Sequence, residues 1–324
     1  MRLSKVSRAQ YWWRLGPTIR ANPHQVWQAT YAPTMVEYEV SVGGRSVMVR
    51  DTGDVGGACV VYFHGTPGSR LEVDFGIEVA QRMGLRVISF DRPGYGRSDA
   101  APSSLGVVAK DVECIVDELG VDRFATFGWS GGGPFALAAA AAMRDRVTRV
   151  GVSGGLAPVL QMPGALAALT ENDLLALAFL PAEPGRAAEQ FLSGNEKLLD
   201  ALMSVRDDQS APWIDWMWGS SDSQVIADPA ARQAIFVSFQ EALRQGPKAV
   251  AWDNVAFVGP WGFDLANVIA PVHLWYGDRD EMVPPINGEW LARNLSNADL
   301  VVYKEEGHLL PLRHWGEMLQ AVRP

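Results

Sequence analysis

The stretch FATFGWSGGGPFALAAAAAM, residues 124–143, decides the fold. Residues 124–127 are a short apolar, β-prone run. Residues 134–143 are small and apolar without interruption, long enough for a buried helix and too short for a membrane span. Between them, Gly128-Trp129-Ser130-Gly131-Gly132 matches G-x-S-x-G. In a chain with 32 glycines that pattern alone says little, so its flanks decide: a strand runs straight in and a helix straight out. A serine on so tight a strand-to-helix turn is held in a strained backbone conformation with its Oγ pushed outward. Pro134 suits the first turn of a helix, where its missing N–H costs nothing. The helix N-terminus offers unpaired amides and the positive end of a dipole where negative charge can develop. Ser130 is therefore the candidate nucleophile.

Outward from this turn, apolar runs at 59–63, 85–90 and 147–152 each end in glycine or a polar turn, with helical stretches at 71–83 and 105–119 between them. Runs this apolar predict strands covered on both faces, hence a parallel sheet built from βαβ units. Upstream, alternating residues at 36–40 and 46–50 flank Gly43-Gly44 and predict a hairpin. After Gly155 the alternation stops. Residues 155–262 read as helices (162–180, 187–205, 229–245), and the sheet pattern resumes with a strand at 270–276, a helix at 287–294, a strand at 300–303 and a last helix at 315–322. The expected organisation is an α/β core of residues 34–154 and 263–324, interrupted by a helical cap of residues 155–262, too long for a loop. Residues 1–33, with Tyr11, Trp12, Trp13, Leu15 and Trp27, are expected to be a helical extension packed on this domain.

Composition narrows the function. A chain of 324 residues with 48% hydrophobic and 20% charged residues is neither disordered nor short of core. The net charge is −9, from 28 basic and 37 acidic residues with no Lys/Arg run, which argues against non-specific nucleic-acid binding. Two cysteines, Cys59 and Cys114, make no disulfide framework and read as inert core thiols. The basic N-terminus lacks the apolar stretch of a secretory signal, and no 18-residue apolar run predicts an integral membrane segment, so a cytoplasmic protein is expected. No cluster has metal-ligand spacing; neither metal nor organic cofactor is expected, and oligomeric state stays open.

With the elbow in place, the chain from about Val36 onward resembles the α/β-hydrolase superfamily, in its cap-bearing serine hydrolase branch. His64-Gly65-Thr66-Pro67-Gly68 is similar to the family's HGxPG oxyanion loop, and residues 91–99, DRPGYGRSD, to its DxxGxGxS turn. The resemblance implies an oxyanion hole made by the backbone N–H groups of Thr66 and Gly131, donors worth about 2.7–4 kcal/mol each in a transition state. It makes His64 and Asp91 structural. Residues 276–284, YGDRDEMVP, are similar to the family's GxxDxxVP turn, which assigns the triad acid to Asp280, with Asp278 and Glu281 as rivals. Of five histidines, His308 in EGHLLP (306–311) stands where the family carries its base, and His314 is the alternative. His308 would take the Ser130 proton, Asp280 would fix the imidazole, and water would resolve an acyl-enzyme.

Residues 155–262 carry 13 acidic and 6 basic residues, an acidic surface that disfavours anionic substrates. The same segment holds five tryptophans, Trp213, Trp216, Trp218, Trp252 and Trp261. Some are expected to pack the segment on the core; Trp213, Trp216 and Trp218, with Trp129, are candidate substrate contacts in a greasy pocket. No tyrosine falls in the segment and the nucleophile is Ser rather than Asp, which disfavours epoxide opening and dehalogenation by resemblance. Proline iminopeptidases share the HGxPG loop but usually carry a further glycine where Thr66 stands. The expected function is hydrolysis of an ester, lactone or thioester of a hydrophobic small molecule. Carbon–carbon bond hydrolysis, aminopeptidase activity and binding without turnover on the same fold are the alternatives.

Overall fold

The computed structural model describes residues 35–205, 208 and 220–324; the expected extension at 1–33 lies outside them. Eight strands form one sheet: β1 (Met35–Val42), β2 (Arg45–Gly53), β3 (Ala58–Phe63), β4 (Leu85–Phe90), β5 (Phe124–Trp129), β6 (Val147–Ser153), β7 (Val272–Gly277) and β8 (Ala298–Tyr303). The spatial order is β1-β2-β4-β3-β5-β6-β7-β8, parallel throughout except where β2 pairs with β1 and β4. The crossover between β3 and β5 puts β5 mid-sheet, and all six of its residues are buried.

The helices are α1 (Ile77–Arg82), α2 (Leu105–Glu118), α3 (Gly132–Ala142), α4 (Glu171–Leu177), α5 (Pro184–Gly194), α6 (Glu196–Val205), α7 (Ser223–Ile226), α8 (Pro229–Ala242), α9 (Lys248–Val258), α10 (Ile286–Asn294) and α11 (Leu310–Val322). One face of the sheet packs against α2, α3 and α10, through residues such as Val112, Leu137 and Leu291. The other packs against α1 and α11, through Ala80, Met318 and Leu319. Helix α3 is apolar all round because it is buried all round, which is why its sequence shows no polar face. Helices α4 to α9 all lie between β6 and β7; α4, α5, α6 and α9 share a third apolar cluster that Tyr95 joins from the core.

Several boundaries differ from the sequence reading for local reasons. The helix expected at 162–180 is a 3-10 turn (Ala165–Ala168) and then α4. Thr170 starts a new helix there with a capping box, its Oγ accepting from the Asp173 N–H while the Asp173 carboxylate takes the Thr170 N–H. The stretch at 187–205 is two helices broken at Asn195. The stretch at 71–83 begins as a 3-10 turn, Glu72–Gly76. Helix α9 falls where the sequence reading has no helix, since Ala249, Val250, Ala251, Val255, Ala256 and Val258 are all buried and leave no amphipathic period to read. The last helix starts at Leu310, because Pro311 fits a first turn where an N–H is not needed.

Candidate active site

Ser130 follows β5 at φ 54°, one of two non-glycine residues with positive φ among the described residues. Such a conformation costs about 1–3 kcal/mol and persists only when its surroundings hold it. Here the Ser130 N–H donates to the Ser153 carbonyl (2.8 Å), and the Ser130 carbonyl accepts from the Gly133 N–H (2.9 Å). Gly132 is required by space: a methyl there would run into the carbonyl oxygen of Phe63, where β3 turns into the His64–Gly68 loop.

The turns after β7 and β8 bring Asp280 and His308 together. Asp280 Oδ1 accepts from the backbone N–H groups of Met282 (2.9 Å) and Val283 (2.8 Å), which leaves Oδ2 at 2.7 Å from His308 Nδ1. Both residues are buried. The rivals point elsewhere. Asp278 accepts from the Glu305 N–H (2.8 Å) and pairs with Lys304 at the surface, Glu281 is exposed, and His314 stacks on Tyr303 at 4.2 Å beside Glu306. A methyl on Gly154 would sit 3.1 Å from the His308 ring and 3.4 Å from Asp280, so the end of β6 packs directly on the pair. His308 and Ser130 line the same cavity.

Two further groups hold the His308 turn. The buried Asp222 carboxylate, just before α7, accepts the backbone N–H groups of His308 (2.7 Å) and Leu309 (3.0 Å), capping the start of α11 from outside that helix. Trp129 donates its indole N–H to the His308 carbonyl (3.1 Å). Trp129 also lines the cavity, whereas Trp213, Trp216 and Trp218 lie outside the described residues. The two described tryptophans of the segment sit away from the cavity: Trp252 packs on the third cluster and Trp261 is buried in the main core, stacked on Phe263.

The opposite wall is the loop after β3. A methyl on Gly131 would strike the Thr66 side chain and approach Phe257 at 2.8 Å, so Gly131 packs directly against the Thr66 side chain. Thr66 Oγ1 donates to Asp253 on α9 (2.6 Å). Arg92 donates to the carbonyls of His64 (2.5 Å) and Gly65 (2.9 Å) and pairs with Asp253 (2.5 Å), which also accepts from the Tyr95 hydroxyl (2.8 Å). Arg92 and Asp253 are both buried, so each charge is paired and hydrogen-bonded. His64 donates from Nδ1 to the Gly65 carbonyl (2.8 Å) and accepts the Arg92 N–H at Nε2 (3.3 Å). Burial first, then the Arg92 charge, hold its pKa well below the usual histidine value, so it is a neutral bracket of the loop. Asp91 accepts the N–H groups of Arg70 (2.7 Å) and Arg97 (2.9 Å) and pairs with the Arg70 guanidinium (2.7 Å), tying its own turn to this loop.

Between these walls the cavity is lined by Pro67, Phe75, Trp129, Ile235, Phe239 and Leu312, with Thr66, Glu72, Ser130, Ser238 and His308 as its main polar groups. Glu72 carries no signal in the sequence reading. Its Oε1 accepts from the Tyr62 hydroxyl (2.8 Å) and the Gly65 N–H (2.8 Å). Burial pushes its pKa up to about 7, against the lowering effect of those two hydrogen bonds, Arg92 and His308. Among the described residues no group of three or more His, Cys, Asp or Glu side chains could hold a metal ion, and no helix is long and apolar enough to cross a membrane.

A mostly parallel sheet with a strained serine after its fifth strand, and a His–Asp pair on the turns after its last two, defines the α/β-hydrolase class of enzymes. The chain belongs to that family: residues 59–314 match the family model for the alpha/beta hydrolase fold. It is 26% identical over 310 residues to a 2-hydroxy-6-oxononadienedioate/2-hydroxy-6-oxononatrienedioate hydrolase of Klebsiella pneumoniae, covering 90% of this chain and 96% of that one. Among solved structures it is similar to a bromoperoxidase from Bacillus anthracis (TM-score 0.67, 20% identity, 89% of this chain and 99% of that one). It is also similar to an enol-lactonase from Burkholderia xenovorans LB400 (TM-score 0.62, 17% identity, 88% and 98%). At these identities the structures speak for the fold alone.

Proposed function

We propose that the chain is a serine hydrolase of small, largely apolar acyl compounds, esters or lactones above all, with Ser130 as nucleophile, His308 as general base and acid, and Asp280 as its orienting carboxylate. The observation that carries this reading is one cavity holding Ser130 at positive φ and a buried His308 whose Nδ1 is fixed on Asp280 at 2.7 Å. With Nδ1–H on the carboxylate, Nε2 is the basic nitrogen that takes the Ser130 proton as Oγ attacks a carbonyl. The backbone N–H groups of Thr66 and Gly131 receive the oxyanion, held ready by the Arg92–Asp253 pair behind the loop. Collapse of the tetrahedral intermediate expels the alcohol with the proton from His308, and water, activated by the same base, releases the acid. No step calls on a metal or organic cofactor.

Residues 155–262 act in this reading as a cap, since Ile235, Ser238 and Phe239 of α8 line the cavity from above the sheet. The Klebsiella relative brings a second reading, because the same three residues serve hydrolytic cleavage of a carbon–carbon bond next to a ketone. Its named substrate is a dicarboxylate. The test is turnover of short-chain esters, lactones and a vinylogous diketone by the wild type, Ser130→Ala and His308→Ala. Ester or lactone turnover that falls at least about a thousandfold in both variants is expected. Turnover of the diketone alone would favour the second reading, and ester turnover undiminished in Ser130→Ala would overturn both.

A further inference from the structure

The cavity has one feature that the hydrolytic machinery leaves unused: a carboxyl group beside the nucleophile. Glu72 is 6% exposed and lines the cavity together with Ser130 and His308. A methyl on Gly65 would lie 3.4 Å from Glu72 Oε2 and 3.6 Å from Ser130 Cβ, so this oxygen and the serine flank the same small space. Oε1 is committed to the Tyr62 hydroxyl and the Gly65 N–H, while no described donor engages Oε2. No arginine or lysine is among the described residues that line the cavity. The nearby cation, Arg92, spends its guanidinium on Asp253 and on the carbonyls of His64 and Gly65.

We infer that Glu72 is a specificity residue: it makes the space beside Ser130 refuse an acyl chain that carries a carboxylate and admit uncharged chains, above all those with an N–H or O–H to donate to its Oε2. This inference rests on the hydrolase reading. A second carboxylate in so small a space would meet a like charge with no cation to separate the two, and in a low-dielectric cavity that repulsion is barely screened. An amide or hydroxyl would instead satisfy the oxygen that now lacks a donor. The dicarboxylate named for the Klebsiella relative is the kind of substrate this cavity is built against.

The groups that face Glu72 are Tyr62 from β3, His64 and the Gly65 amide from the loop, Arg92, and His308 across the cavity. Burial keeps Tyr62 protonated and His64 neutral, and Arg92 is charged throughout, so the charge on this wall of the cavity changes at Glu72. Glu72 loses its proton at about pH 7, and the refusal should therefore strengthen as pH rises through that value.

The test compares two esters of one shape, ethyl succinamate and monoethyl succinate, by ethanol release from pH 6 to pH 8 with wild type and Glu72→Gln. Glutamine keeps an oxygen for Tyr62 and Gly65, removes the charge, and puts an NH2 donor where Oε2 would accept. The readout is the ratio of kcat/KM for the two esters, in which any effect common to both, such as a disturbance of the loop, cancels. Wild type should prefer the amide by at least about tenfold at pH 8, and by less at pH 6. In Glu72→Gln the preference should shrink to within about threefold and lose its pH dependence. Should Glu72→Gln fail to fold, the pH dependence of the wild-type ratio decides alone. Equal use of both esters at pH 8, or a ratio unchanged by Glu72→Gln, would overturn the inference. If the wild type cleaves neither ester nor any other, the hydrolase reading itself fails, and this inference fails with it.

Discussion

Glu72 carries a proton into the folded state that the unfolded chain would have released, and this makes it visible to a stability measurement. Its pKa is about 7 in the native protein, against 4.5 for an ordinary glutamate, because burial outweighs its hydrogen bonds. Between those two pH values the native state binds more protons than the unfolded state. Stability therefore falls as pH rises through the window and levels off above pH 7. The gap corresponds to about 3 kcal/mol at most. Urea unfolding at pH 5 and pH 7.5 should show wild type losing more stability than Glu72→Gln over this interval, by an amount approaching that figure; equal losses would mean that Glu72 is ionised when folded. Nothing in the local sequence, RLEVDF at 70–75, marks Glu72 among 37 acidic residues. Its role follows from the turn that places it under the Gly65 N–H, seven positions earlier in the chain. Ser130 is the opposite case. Its glycines, the strand before it and the helix after it are all close neighbours in the chain, so its strained backbone is legible in the local sequence alone.

Among the elements, the start of α11 depends on a group from outside the helix. Asp222 takes the N–H groups of His308 and Leu309, an 86-residue separation in the first case, and so ties α7 to the turn that presents the histidine. Asp222→Ala would leave both buried donors without their acceptor. We expect a loss of about 1–3 kcal/mol in urea unfolding, with Asp222→Asn in between because it retains one acceptor oxygen. An Asp222→Ala protein as stable as wild type would show that the turn holds without it. The strands, α2, α3 and α10 are legible in the sequence because their periods or apolar runs are complete within a short window. Helix α9 is not, since a helix buried on every side has no polar face to alternate with. The break at Thr170 has a signal of its own, the capping-box spacing to Asp173.

Across the molecule, the segment between β6 and β7 reaches back to both walls of the cavity. Asp253 anchors Thr66 and Arg92 across 187 and 161 positions, Asp222 anchors the His308 turn, Glu241 pairs with Arg70 (2.6 Å), and the Ser238 hydroxyl accepts the Ser69 N–H (3.1 Å). These are long-range pairings of common residue types, which is why the motifs tell which loops meet while the residues that brace them stay hidden. The same bracing argues that the inserted helices do more than cover the site. They tie down the loop of Thr66 and the turn of His308 on either side of Ser130, and in the proposed mechanism this is the preorganisation that a charged transition state would require. Whether this arrangement activates Ser130 can be asked without knowing the substrate. The measurement is intact mass after exposure to a fluorophosphonate, for wild type, Ser130→Ala and His308→Ala. A single adduct on wild type, absent from Ser130→Ala and formed far more slowly in His308→Ala, is the result predicted here. No adduct on folded wild type, or one that persists in Ser130→Ala, would contradict it.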